Sequence, residues 1–265
     1  MDPAWLADRS PIMLGLGASL AAGLATGVGA LPVLVLGRIP PRLESAMLGF
    51  AAGVMLAATM FSLIVPGLEA AREGDGGQGR ALLVVGTGIM LGALALWLID
   101  EHAPHEHFIF GREGRATTSL RRIWLFIIAI TLHNFPEGLA VGVGFGAGDL
   151  GNATALALGI GLQNLPEGLA VAVALIGERY GRAEAFGIAL LTGLVEPVGG
   201  LVGVTAVVLA EPLLPWGLAF AAGAMLFVIS DEIIPETHRK GVQKVGTFGL
   251  MIGFVVMMSL DVALG

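Results

Sequence analysis

The sequence predicts an all-α, polytopic membrane protein of eight transmembrane helices with inverted-repeat character. Three observations predict it. The 265 residues are 55% hydrophobic and 13% charged, with a mean hydropathy of +0.85, whereas soluble domains carry about 25% charged residues. The apolar residues gather in eight runs long enough to cross a bilayer. One short stretch occurs twice, as His-Asn-Phe-Pro-Glu-Gly-Leu-Ala-Val at 133–141 and Gln-Asn-Leu-Pro-Glu-Gly-Leu-Ala-Val at 163–171, each near the middle of an apolar run.

Met1 to Ser10 reads as a short tail. It holds Asp2, Asp8 and Arg9, unlike the positive stretch and short apolar core of a cleavable signal peptide. The spans follow at approximately 11–37, 43–68, 80–100, 122–146, 152–177, 183–209, 212–234 and 246–264, so that 1–265 forms a single transmembrane domain. Little more than Glu211-Pro212 separates spans 6 and 7. Together they are far too long for one crossing at about 1.5 Å per residue. The 41 glycines are dispersed through these runs, which suits helices packed backbone to backbone in lipid. Cysteine is absent, so there is no disulfide framework and no thiolate metal site. A net charge of −7 argues against nucleic acid as a partner.

Charge also orients the chain. Of the 14 Lys and Arg residues, all but Arg9, Arg72 and Arg80 fall in alternate loops on one side. The positive-inside rule makes that side cytoplasmic. It places the loop 101–121 in the cytoplasm, the loop 69–79 outside, and both termini outside the cytoplasm.

Ionisable side chains within spans are costly and usually functional. Span 4 carries His133, Asn134 and Glu137, span 5 carries Gln163, Asn164 and Glu167, and span 6 carries Glu196. His133 and Glu137 are four residues apart and share a helix face, as do Gln163 and Glu167. Consecutive spans run antiparallel, so the two copies meet near mid-membrane in opposite directions, as in binding sites built from inverted repeats. Three carboxylates at similar depth repel one another, and one or two divalent cations among them relieve this. Carboxylate, imidazole and amide oxygen suit a borderline or hard divalent ion. Pro136 and Pro166 lack an N–H, which frees the carbonyls of Leu132 and Leu162 beside these side chains.

The paired motif resembles the signatures of the ZIP transporters, most closely their bacterial branch, and the resemblance covers the whole chain. It implies a divalent-metal importer moving zinc, or cadmium, iron or manganese, into the cytoplasm by alternating access, with no organic cofactor. It also implies a bacterial inner membrane, a homodimer and an elevator-like movement. By position, one metal would be held by Met55, His133, Glu137, Gln163 and Glu167. A second would be held by Asn134, Asn164, Glu137, Glu167 and Glu196. Met55 is a core methionine on sequence alone, and only the family position makes it a ligand. Relatives often carry Asp at position 164, so Asn164 should weaken the second metal.

Ser62 and Glu69 are seven residues apart on one face of span 2, where the resemblance implies an entrance, with Glu73 and Asp75 extending an acidic funnel. On the cytoplasmic side Asp100, His102, His105 and His107 form a His-rich tract that reads as metal binding by composition, for exit or sensing. Asp231 and Glu232 lie near the same side. An intramembrane metalloenzyme is the first alternative, since His and carboxylates also activate water, but there is no His-Glu-x-x-His and the chain is not expected to be an enzyme. The second alternative is a metal-selective channel. No Walker-type loop is present to couple transport to a nucleotide.

Overall fold

The computed structural model describes residues 9–36, 39–72, 77–102, 105–107, 111–113, 122–177, 180–238 and 242–264. Among them, seven helical spans are long and apolar enough to cross a membrane: Pro11–Leu34, Pro41–Arg72, Gly77–Ile99, Leu150–Gly177, Arg182–Leu209, Glu211–Asp231 and Gln243–Leu264. The helix Arg122–Gly146, 25 residues long, has the length of an eighth crossing and packs among spans 1, 5, 6 and 7. The predicted class therefore holds, with boundaries shifted by a few residues. One small departure lies in the loop 101–121, where β1 (His105–His107) pairs antiparallel with β2 (Gly111–Glu113) and His105 stands opposite Glu113. That stretch has no long apolar run to dock a helix, and its backbone groups pair with each other instead.

Spans 6 and 2 are interrupted where proline removes a donor, and span 7 repeats the second case ahead of Pro235. Span 6 runs as Arg182–Gly193, breaks at Leu194 and Val195, and resumes as Glu196–Leu209. Pro197 cannot donate to the carbonyl of Gly193. Glu196 thus opens a helix, where exposed N–H groups favour a carboxylate, rather than lying within one long helix as the apolar run implied. In span 2 the α-helix Pro41–Ala58 passes into a π-helical turn, Thr59–Ile64, ahead of Pro66. The wider turn makes room for the proline ring, and Asn152 Nδ2 donates to the Ser62 carbonyl at 3.4 Å.

Glycines set the packing, and their pattern exposes an internal two-fold relation. A Cβ on Gly138 in span 4 would overlap the Glu196 carbonyl in span 6, and one on Gly168 in span 5 would overlap the Thr26 carbonyl in span 1. Gly199 presses on the Phe135 carbonyl, and Gly29 on that of Leu165. Span 4 therefore stands to span 6 as span 5 stands to span 1. Gly23 and Gly193, related in the same way, press on each other's carbonyls. The outer spans repeat the pattern. Gly53 abuts the Leu250 carbonyl of span 8, and Gly223 abuts the Ile89 carbonyl of span 3. Glu196 follows Thr26 by the same number of residues as Gly193 follows Gly23 and Gly223 follows Gly53.

Spans 1, 2 and 3 thus correspond to spans 6, 7 and 8, with span 4 corresponding to span 5. The local structure agrees. Gly53-Val54-Met55-Leu56 precedes the π-turn of span 2, and Gly223-Ala224-Met225-Leu226 precedes a second π-turn, Ile229–Ile233, in span 7. Thr59 and Ser230 each donate at 2.8 Å to a carbonyl four residues back at the start of these turns.

The two outer contacts should tolerate a side chain equally badly. Gly53→Val and Gly223→Val are each expected to destabilise the protein by about 1–3 kcal/mol through overpacking, read as matching falls in melting temperature of the detergent-purified protein. A large loss at one position and none at its counterpart would contradict the repeat relation.

Candidate metal centre

The site lies where spans 4, 5 and 6 meet span 1. Because Gly138 and Gly168 let backbones touch, the residues just before them, Glu137 and Glu167, are carried close to the neighbouring helices. Glu137 is 1% exposed, Glu196, Asn134, Gln163 and Asn164 are 0% exposed, and His133 is 8% exposed. Glu167 is partly buried.

A chain of amides links two of the carboxylates. Gln163 Nε2 donates to Glu137 Oε2 and to Asn164 Oδ1, both at 2.5 Å. Asn164 Nδ2 donates to Glu196 Oε1 at 2.7 Å and to the Ala22 carbonyl at 2.8 Å. Among the described residues no three His, Cys, Asp or Glu side chains converge as a ready metal-ligand group, since these amides stand between the carboxylates. Several enclosed oxygens remain without a hydrogen-bond partner: Asn134 Oδ1, Gln163 Oε1 and Glu196 Oε2. Buried polar atoms are rarely left in that condition. Oxygen donors gathered beside carboxylates and an imidazole match the preferences of a borderline or hard divalent cation.

Of the side chains predicted at mid-membrane, the structure joins Glu137, Gln163, Asn164 and Glu196 in one hydrogen-bonded chain, and His133 and Asn134 precede Glu137 by one turn of span 4. Met55 is 1% exposed and belongs to the same buried cluster as Ala22, Ala140 and Val141. Ser62 and Glu69 do not share an environment. Ser62 is fully buried and Glu69 is exposed, because the π-turn Thr59–Ile64 lies in the stretch that leads to Glu69 and changes the helical phase. Ser62 Oγ donates to Asp261 Oδ1 at 2.8 Å. Sequence reasoning missed Asp261, whose signal was a lone acid closing an apolar span. Asp231 lies in the second π-turn and is partly buried. The backbones of Asp100 and His102 end the helix Gly77–His102, and those of His105 and His107 lie in β1. Their side chains, that of Glu232, and Glu73 and Asp75 fall outside the described residues.

Ala22 and Thr26 on span 1 also escaped the sequence reading. Neither carries a charge, and the Ala22 contribution is a backbone carbonyl. Thr26 lies within an ordinary apolar run, so only helix packing exposes its position.

Comparison with known proteins identifies the family. Residues 111–261 match the family model described as ZIP Zinc transporter. The chain is 50% identical over 252 residues to the zinc transporter GufA of Myxococcus xanthus, covering 95% of this chain and 99% of that protein. It is 49% identical over 249 residues to the zinc transporter ZIPB of Bordetella bronchiseptica, covering 92% and 80% of the two chains. It is 38% identical over 321 aligned positions to the human zinc transporter ZIP11, covering 91% and 94%. With the paired Pro-Glu-Gly motifs and the eight-helix fold, these matches establish that the chain belongs to the ZIP zinc transporter family.

Proposed function

We propose that this membrane protein carries zinc into the cytoplasm by alternating access through the site on spans 4, 5 and 6. The observation that carries the reading is that spans 4, 5 and 6, which also carry Glu137 and His133, each bury an oxygen without a partner: Asn134 Oδ1, Gln163 Oε1 and Glu196 Oε2. Relatives covering nearly the whole chain are named zinc transporters, which supports zinc as the leading cargo. Cadmium, iron and manganese suit the same donors. The positive-inside rule orients both termini outside a bacterial inner membrane.

In this cycle the cation replaces the amide protons that now link the carboxylates. Gln163 turns its Oε1 inward and releases Glu137 Oε2, so that Glu137 and Glu167 bridge toward the cation with His133 and Met55. Glu196, Asn134 and Asn164 form the adjoining position. Each ligand binds only moderately, which allows release on the cytoplasmic side. No step makes or breaks a covalent bond, so the protein acts as a carrier rather than an enzyme.

An elevator movement is the form of alternating access that the packing supports. Spans 1, 4, 5 and 6 lock together through backbone contacts at Gly23, Gly29, Gly138, Gly168, Gly193 and Gly199, and spans 2 with 8 and 3 with 7 form comparable pairs. Across the seam between these groups Gly159 faces the side chains of Met257 and Val54, and Gly217 that of Val143, while Gly151 meets the Leu264 carbonyl where spans 5 and 8 end. An apolar groove of about 620 Å³ lies on the same seam, lined by Phe50, Leu162, Pro166 and Phe248 among others. Smooth aliphatic contacts slide more readily than interlocked backbones. The outer pairs would then serve as the fixed part, in a homodimer.

Three outcomes test the reading. Glu137→Ala is expected to abolish zinc uptake by proteoliposomes while leaving a folded, monodisperse protein, and undiminished uptake would overturn the site. Wild-type flux should saturate with zinc concentration, whereas a pore would keep rising. Asn164→Asp should raise the zinc bound per chain from one ion to two, measured by elemental analysis after equilibrium dialysis. Unchanged stoichiometry would show that Asn164 does not limit the second position.

A further inference from the structure

Span 1 holds a polar group that the carrier cycle described above leaves unused. Thr26 is 0% exposed, and its Oγ1 has no hydrogen-bond partner. A hydroxyl inside a helix ordinarily donates to a carbonyl three or four residues back. Ser19 donates to Gly15, Thr59 to Met55 and Thr192 to Ala189, each at 2.8 Å. For Thr26 the carbonyl four residues back is that of Ala22, which already accepts Asn164 Nδ2 at 2.8 Å. It also receives the helical N–H of Thr26 itself. Both lone pairs of that oxygen are therefore occupied.

The position of Thr26 makes this more than an isolated hydroxyl. In the internal two-fold, Thr26 is the counterpart of Glu196, since Gly168 packs on the Thr26 backbone as Gly138 packs on that of Glu196. Its Oγ1 and Cβ press on Gly193, one turn before Glu196. The hydroxyl is thus enclosed between spans 1, 5 and 6, next to the residues that flank Glu167 and Glu196.

We propose that Thr26 is a positioning residue of the cation site, which takes over the Ala22 carbonyl when Asn164 turns its amide oxygen toward a divalent cation. This rests on the carrier reading. Asn164 Nδ2 commits its two protons to Ala22 and Glu196, while Oδ1 accepts from Gln163. Giving Oδ1 to a cation beside Glu196 requires the amide to rotate, and Nδ2 then leaves Ala22. A buried carbonyl deprived of that donor would oppose the rotation. The Thr26 hydroxyl has an idle proton four residues along the same helix, and a change of its side-chain rotamer brings that proton to Ala22. Ala22 then keeps a second donor, besides the helical N–H of Thr26, in both positions of Asn164. The exchange moves no charge, so a hydroxyl fits where the two-fold would otherwise place a fourth carboxylate.

The experiment measures zinc uptake by proteoliposomes and zinc binding by calorimetry for Thr26→Val and Thr26→Ser, and for Thr26→Val in an Asn164→Ala background. Thr26→Val keeps the shape and removes the hydroxyl. It is expected to raise the apparent KM and Kd by roughly three- to tenfold, the effect of one lost buried hydrogen bond, with the maximal rate and the melting temperature without added zinc nearly unchanged. Thr26→Ser should restore both constants. In the Asn164→Ala background, Thr26→Val should have no further effect on binding, because no amide then leaves Ala22. Unchanged KM and Kd, failure of serine to rescue, or the same shift persisting without Asn164 would each overturn the proposal. If Thr26→Val does not fold, Thr26→Ala is read by the same criteria. Glu137→Ala tests the carrier reading separately. Uptake lost with Glu137→Ala but indifferent to Thr26→Val rejects only the role of Thr26, whereas uptake surviving Glu137→Ala rejects the site itself.

Discussion

Carboxylates taken out of water must be supplied with donors or with a cation, and the centre of this molecule is organised around that requirement. Glu137 and Glu196 are enclosed almost completely. Their donors come from Gln163 and Asn164, which link the two acids into a single hydrogen-bonded chain. That chain closes only because the helices approach within backbone contact. Gly138 and Gly168 supply the approach, and each directly follows a carboxylate of the repeated motif. Electrostatics and packing are thus specified by the same few residues.

The inverted repeat places similar backbones on both sides of the site and different chemistry within them. Asn134 and Asn164 correspond, as do Glu137 and Glu167. His133, however, corresponds to Gln163, and Glu196 to Thr26. Two-fold geometry suits a binding centre reached from either side of a membrane. The departures from symmetry decide which oxygens are charged, and they concentrate the charge of the group formed by spans 1, 4, 5 and 6 on spans 4, 5 and 6.

Much of this could be read before any coordinates. Apolar run length gave the crossings, because spanning a bilayer demands long uninterrupted helices, and the repeated Pro-Glu-Gly stretch marked the candidate residues of spans 4 and 5. Other features left no such trace. The break before Glu196 lies inside one apolar run, and hydropathy does not register where a helix ends and restarts. The π-turn at Thr59–Ile64 changes the phase of span 2 without changing its composition, so the seven-residue spacing of Ser62 and Glu69 did not keep them in one environment. Backbone contributions such as the Ala22 carbonyl have no residue signature at all. The short β1–β2 pairing was likewise invisible in a charged stretch without alternation.

The presence of threonine rather than an acid at the position corresponding to Glu196 has an electrical consequence. Four ionised carboxylates would balance two divalent cations. With Glu137, Glu167 and Glu196 ionised and Thr26 neutral, a site holding one divalent cation keeps a net negative charge, and a site holding two becomes net positive. A moving bundle would therefore carry opposite charge across the bilayer in its singly and doubly loaded forms. Each elementary charge crossing the full field couples to it by about 2.3 kcal/mol per 100 mV. An interior-negative membrane would favour inward movement of the doubly loaded form and oppose that of the singly loaded one, so occupancy at Asn164 would set how transport responds to voltage.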